Sequence, residues 1–189
     1  TTVATGERLQ WTPAANANGT LNAFTVKAFD GVQASSSAIQ VQVTAAAVND
    51  PPVISEITTL AGATEDTPFE ITYATLLANT TATDAESNAI SSFRIEAVST
   101  GTLQKWNGSA WAAVTAGTTT VATGERLQWT PAANANGTLN AFTVTASDDG
   151  TLYSAAAAQV KVSASAVNDA PIASGSATLT AVNEDTASP

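Results

Sequence analysis

The chain contains no cysteine, no histidine and no methionine in its 189 residues. Without Cys or His there is no disulfide, zinc finger, thiol nucleophile or histidine-based triad. The lack of Cys does not by itself decide the compartment. Positive charge is scarce as well: 6 Lys+Arg stand against 16 Asp+Glu, giving a net charge of −10 and a pI near 4.1. Such a surface is wrong for nucleic-acid phosphates and for insertion into or docking on an anionic membrane. It attracts small cations instead. No apolar run approaches the ~20 residues of a membrane span. No signal peptide opens the chain, and with no Met anywhere the expectation is an internal fragment of something longer. Aromatics are only 6% of a composition that is 44% apolar, much of it Ala. Small residues mixed with Thr and Val suit a thin β-sandwich better than a helical bundle.

What is present is repetition. Residues 1–26, TTVATGERLQWTPAANANGTLNAFTV, recur unchanged at 119–144. One residue is inserted after Asp30, where the second copy has Asp148 and Asp149. AVND at 47–50 returns at 166–169, and TEDT at 64–67 returns as NEDT at 183–186. The unit is therefore about 119 residues, too long for a solenoid repeat of roughly 20–45 residues and the size of an independent domain. The organisation expected is the C-terminal part of one repeat over 1–50, a complete repeat over 51–169, and the N-terminal part of a third over 170–189.

Within the complete repeat, Val53–Leu60 reads as an opening strand. Glu65-Asp66-Thr67-Pro68 is a turn. Phe69–Tyr73 alternates as a half-buried strand, and Leu76–Asn79 fits a helical turn ending at Asn. Asp84–Asn88 is a polar loop and Ile90–Val98 a strand. Asn107-Gly108 signals a hairpin that puts Trp106 and Trp111 on one face. Arg126–Thr130 points Leu127 and Trp129 inward, and Trp11 is expected in the core like its copy Trp129. Pro131–Gly137 is a loop, and Leu139–Ala146 and Ala157–Ser165 are closing strands. Short strands with turn chemistry between them give an all-β sandwich.

Several motifs carry a resemblance. AFDG (28–31) and ASDDG (146–150) precede Ser/Ala-rich strands. AVNDPPV (47–53) and AVNDAPI (166–172) read as linkers at one-repeat spacing. EDTP (65–68), DAESN (84–88) before Ile90, and WTPAANANGT (129–138) before AFTVTASD complete the set. Together they resemble the cadherin-like tandem repeats of large bacterial surface proteins and adhesins. GTLQKW through GERLQW is similar to the related proteoglycan-type repeats. The resemblance spans the chain and implies Ig/cadherin-like Greek-key sandwiches joined end to end, extracellular, with Ca²⁺ between neighbours. The chain departs from the pattern at Asn134 and Asn136, where that family has an acidic pair, and at Glu86, where Asp is usual. Both departures bear on the number of ions held.

The distribution of acids points the same way. Eleven of the 16 fall in expected turns or linkers: Asp30, Asp50, Glu65, Asp66, Asp84, Glu86, Asp148, Asp149, Asp169, Glu184 and Asp185. Ca²⁺ takes six or more oxygens from carboxylates, carboxamides and backbone carbonyls. Two carboxylates ~4 Å apart repel by about 4 kcal/mol at an effective dielectric near 20, and a cation between them reverses the sign. A sandwich would gather Asn49, Asp50, Asp84, Glu86, Asn88, Asp148 and Asp149 at one end, joined by Asn16 and Asn18 from the preceding repeat. Glu65, Asn134, Asn136, Asn168 and Asp169 would form the counterpart at the other end. Against this stands the ordinary use of Asp, Asn and Gly in turns for backbone reasons.

Rival functions are weaker. Asp84 and Glu86 lie two residues apart in a polar loop with no apolar pocket to raise one pKa, so glycosidase-type catalysis is not expected and the chain reads as a non-enzyme. An adhesive module binding carbohydrate or protein through exposed Trp106 and Trp111 is the alternative; against it, the rings cover one edge of a thin core. A Lys–Asn cross-link is disfavoured at Lys27, which is Thr145 in the second copy, leaving Lys105 and Lys161. Asn-x-Ser/Thr at Asn18, Asn79, Asn107 and Asn136 is coincidence in a Thr-rich chain. The expected role is a spacer or stalk segment of a secreted, surface-bound filamentous adhesin. Its partners are the neighbouring repeats, with homotypic chain–chain association through the incomplete end repeats, whose strand edges are open.

Overall fold

A computed structural model describes residues 1–178 and Glu184. Asp185 and the rest of NEDT lie outside the described residues. The elements run β1 (Gly19–Val26), β2 (Ile39–Ala45), β3 (Val53–Ile57), β4 (Leu60–Thr64), β5 (Phe69–Thr72), α1 (Tyr73–Ala78), β6 (Thr80–Thr83) and β7 (Ser92–Val98). Then follow β8 (Thr102–Trp106), β9 (Trp111–Ala113), β10 (Thr120–Ala122), β11 (Arg126–Thr130), β12 (Gly137–Ser147) and β13 (Ala158–Ser165). Residues from Val53 to Ser165 form an Ig-like β-sandwich. One sheet has the order β10-β7-β12-β13-β4, the other β5-β11-β8-β9, and β3 pairs with β6 as a ribbon alongside. Pairing is antiparallel except between β13 and β4.

The alternation read from the sequence is what fills the core. Ile71, Leu103, Leu127 and Trp129 point inward from one sheet, and Phe93, Ile95, Val121, Phe142, Val144, Val160 and Val162 from the other, all buried. A bulge between Asn140 and Phe142 lets Ala141 and Phe142 both turn inward, which strict alternation forbids. Trp129 also satisfies its indole N–H, donating to the Thr100 carbonyl at 2.8 Å. That approach needs Gly101: a Cβ there would stand 2.2 Å from the Thr130 carbonyl oxygen.

Two expectations are corrected locally. The single strand over Val53–Leu60 is two strands in different sheets. Ile57 and Leu60 are both buried, yet they are three apart and cannot share one face of a strand of period two. The chain turns between them, where the Thr58 amide donates to the Asn79 carbonyl at 2.9 Å and its hydroxyl to Asn79 Oδ1 at 2.7 Å. The strand over Phe69–Tyr73 stops one residue early. Thr72 caps α1, its hydroxyl accepting the Thr75 N–H at 3.0 Å, so Tyr73 is buried as a helical residue together with Leu76. Asn79 ends the helix, its side chain donating to the Thr75 carbonyl. Strands β6 and β10 carry too few large apolar residues to stand out in the sequence, and in β8 Leu103 and Trp106 are three apart and do not alternate.

Residues 1–46 fold differently although 1–26 repeat 119–144. β1 and β2 pair in the register of β12 and β13, with Leu21 opposite Val43 as Leu139 is opposite Val162, and with the same bulge. The segments matching β10 and β11 form no strand. Leu9 is 55% exposed and Val26 42%, where their copies Leu127 and Val144 are fully buried. Trp11, expected in the core, is half-buried for the same reason: among the described residues β1 and β2 form a sheet of two strands with no second sheet across it.

Candidate cation-binding junction

The linker Asn49-Asp50 enters the sandwich beside the loops that follow β6 and β12. Asp84 organises the first loop: its Oδ1 accepts the backbone N–H groups of Glu86 at 3.0 Å and Asn88 at 2.8 Å. Ser87 takes a positive φ of 65° to close that turn. The second carboxylate oxygen of Asp84, Oδ2, is buried with no hydrogen-bond partner among the described residues. Such an atom carries an uncompensated desolvation penalty.

The linker is held from several directions. The Asp50 N–H donates to Glu86 Oε2 at 2.9 Å. The Asn49 amide sits between two carboxylates, donating to Asp148 Oδ1 and Asp149 Oδ2, each at 3.3 Å. The Asn88 amide donates to Asn49 Oδ1 at 2.8 Å and Asp148 Oδ2 at 3.3 Å. Thus Asn49, Asp50, Asp84, Glu86, Asn88, Asp148 and Asp149, scattered over a hundred residues, belong to one hydrogen-bonded network. Asp149 spends most of its capacity on its own turn. The Thr151 hydroxyl at 2.6 Å, the Thr151 N–H at 2.7 Å and the Leu152 N–H at 3.1 Å hold its carboxyl far below the usual range. On the upstream side, Asn16 and Asn18 face Asp50 and Glu86 across a cleft of about 260 Å³.

The other end of the sandwich is smaller. Glu65 is only 2% exposed, and both its oxygens are used. The Val167 N–H at 2.6 Å and the Asn136 amide at 2.8 Å keep its carboxyl ionised below the ordinary range. Asp66, not foreseen as a member, accepts the Asn134 N–H at 3.0 Å. Its sequence signals were membership of an acidic turn and of the EDTP motif. Asn168 and Asp169 are not drawn in. They are exposed, Asn168 donates to the Asp169 carbonyl, and among the described residues neither hydrogen-bonds to Glu65, Asn134 or Asn136.

Chemically, the first network alternates carboxylates with carboxamides. Among the described residues no three carboxylates converge on one point as a metal site; the Asn49 and Asn88 amides stand between them as neutral donors. A carboxamide rotated about its Cβ–Cγ bond exchanges its NH₂ for its oxygen. The same side chains can therefore bridge acids or present oxygens to a hard cation.

Two acids outside the eleven expected in turns or linkers also hold turns. Glu7 accepts the Ala4 N–H, and Glu125 accepts the Ala122 N–H while pairing with Lys105 at 2.7 Å. Trp106 and Trp111 do share a face, but as an edge-to-face pair with centroids 5.3 Å apart and planes at 64°. Both are half-buried, and the Arg126 guanidinium stacks 5.0 and 5.6 Å from their centres. That is not a flat pair of rings open to a sugar. No helix among the described residues is long and apolar enough to cross a membrane.

Compared with known proteins, residues 49–163 match the family described as Bacterial Ig domain. No curated protein and no solved structure matches.

Proposed function

Because the chain belongs to the bacterial Ig domain family, we propose that it is a structural spacer of an extracellular bacterial surface adhesin, cadherin-like in arrangement and stiffened by Ca²⁺ where consecutive modules meet. In this reading residues 1–50 close one module, 51–169 form the next, and 170–189 begin a third. Catalysis forms no part of it.

The observation that carries the proposal is the buried, unpartnered Asp84 Oδ2 in the loop that receives the linker. A carboxylate oxygen removed from water without a donor fits a site that gains a cation. The surrounding donor set fits as well: Asn49, Asp50, Glu86, Asn88, Asp148 and Asp149 supply hard oxygens of the kind Ca²⁺ prefers. Asn16 and Asn18 would reach the ion's neighbourhood from the upstream module. Bound there, Ca²⁺ supplies charge neutralisation and a multidentate tie among groups that otherwise repel.

What this chain's own residues do is mechanical. Glu86 fixes the Asp50 N–H, and Asp148, Asp149 and Asn88 fix the Asn49 side chain, so the linker already lies clamped to the downstream sandwich. The joint left free is the cleft between that clamp and the Asn16–Asn18 loop. Closing it turns two beads into a short rod; relaxing it restores a hinge.

The test is small-angle scattering of a chain with two complete modules, titrated with Ca²⁺ and then with chelator. The maximum dimension should rise on adding Ca²⁺ and fall on removing it, and Asp84→Ala should abolish the response. Identical dimensions in both conditions would refute the proposal.

A further inference from the structure

Three Asn-Gly pairs are exposed: Asn107-Gly108 in a hairpin loop, and Asn18-Gly19 and Asn136-Gly137 where a loop enters β1 and β12. Each glycine has positive φ, at 82°, 100° and 86°. This is the conformation in which glycine alone is unstrained, so backbone geometry fixes the glycine after each asparagine. A glycine leaves the backbone nitrogen after Asn unshielded, since no Cβ flanks it. That is the arrangement in which an asparagine side chain cyclises most readily.

The three asparagines are held very differently. Asn107 Oδ1 accepts three donors, the Ser109 N–H and hydroxyl at 3.0 Å and the Ala110 N–H at 2.9 Å, and is locked into its hairpin loop. Asn136 is tied through its amide to Glu65 at 2.8 Å. Asn18, which has the same local sequence, makes only a 3.5 Å contact to the Asn16 carbonyl. Asn18 also lines the cleft that holds Asp50 and Glu86.

We propose that Asn18 and Asn136 are deamidation sites whose conversion to aspartate places an additional carboxylate at each module junction and so raises its affinity for divalent cations as the protein ages. The step balances without any other reagent than water. The Gly19 nitrogen, losing its proton, attacks Asn18 Cγ. A C–N bond forms and the side-chain nitrogen leaves as ammonia. Water then opens the succinimide at one of its two carbonyls, giving aspartate or isoaspartate. The net change is carboxamide plus water to carboxylate plus ammonium.

The consequences differ at the two places. At Asn18, the new carboxylate joins Asp50 and Glu86 around one cleft, making three acids where there were two. At Asn136, it replaces a donor by an acceptor against the buried Glu65. Without a cation two carboxylates then face each other, and the outgoing linker loosens; with one, the pair is neutralised. The chemical step does not depend on the calcium reading of the junction, but its consequence does.

The test ages the whole chain at mildly alkaline pH and maps it by peptide mass spectrometry, scoring the replacement of NH by O. Asn18 should convert first, Asn136 next and Asn107 last. Asn18→Asp and Asn136→Asp chains should then bind Ca²⁺ roughly tenfold more tightly by calorimetry, the expected effect of a further charged ligand. Asn18→Gln and Asn136→Gln should each block conversion at the substituted position. No conversion, or Asn107 leading, overturns the inference and leaves the junction proposal standing. Conversion with Ca²⁺ affinity unchanged from the unaged chain also overturns it. If neither the original chain nor the Asp variants bind Ca²⁺, the junction proposal falls too. Asn18→Asp, at an exposed position just before β1, keeps the test valid even if Asn136→Asp fails to fold.

Discussion

The duplicated segment provides an experiment in which local sequence is held constant and only the surroundings change. Leu9 and Leu127 occupy equivalent places in an identical run of 26 residues. Leu127 is fully buried between the two sheets and Leu9 is 55% exposed. Leu127→Ala removes buried methyl groups and leaves a cavity, a loss of about 2–5 kcal/mol in a core of this density. Leu9→Ala removes groups already mostly in water and should change stability by less than ~0.5 kcal/mol. Both should be followed by urea unfolding monitored through tryptophan fluorescence, to which the buried Trp129 contributes, with differential scanning calorimetry alongside. A loss near 3 kcal/mol lowers the melting temperature of a domain this size by roughly 10 °C, so the two variants should separate clearly. Equal losses would refute the reasoning. They would mean that residues 1–18 share a core in solution, and dilution would show whether a second chain supplies it.

Four further outcomes are expected. Gly101→Ala forces a Cβ against the Thr130 carbonyl at a φ of 69° and should cost at least about 2 kcal/mol, read from the urea midpoint. Acid should destabilise the sandwich through Glu65, Glu96 and Asp149, whose folded pKa values are all depressed. Groups depressed on folding add stability above their unfolded values, 4.5 for Glu and 3.8 for Asp, and lose it as pH falls through the folded ones. Melting temperature should therefore be flat from neutrality to about pH 5 and fall below pH 4.5, with a shallower fall in Glu65→Gln. Thr145→Val deletes the hydroxyl that donates to Glu96 at 2.5 Å and should lose about 1 kcal/mol by urea unfolding. The open face of residues 1–46 predicts concentration-dependent association, checked by analytical ultracentrifugation; a clean monomer at all concentrations would exclude pairing through that face.

Much of the sandwich is legible wherever alternation is strong. Phe69-Glu70-Ile71 and Leu127–Trp129 declare a buried face every second residue, and Asn107-Gly108 declares its hairpin, whereas β12 is buried at consecutive positions around its bulge. The split between β3 and β4 is not legible. It depends on Ile57 and Leu60 facing inward in different sheets and on Asn79, twenty-one residues from Thr58, holding Thr58 between them. The junction is half legible. Turn acids announce loops, but which loops meet depends on the topology that carries β6 and β12 to the end where Asn49 and Asp50 enter. The role of Asn49 as a bridge between Asp148 and Asp149 has no local signature.

By itself the sequence determined the strand periodicity, the turns, the duplication and the surplus of negative oxygen at particular turns, because these follow from side-chain chemistry and spacing along the chain. Tertiary structure decided whether those tendencies become structure. Thr120–Ala122 and Arg126–Thr130 are strands, while the same residues at 2–4 and 8–12 are not. The difference lies in the partner strands: backbone hydrogen bonds of an edge and the burial of Leu127 or Trp129 exist only when a second strand and a second sheet lie across them.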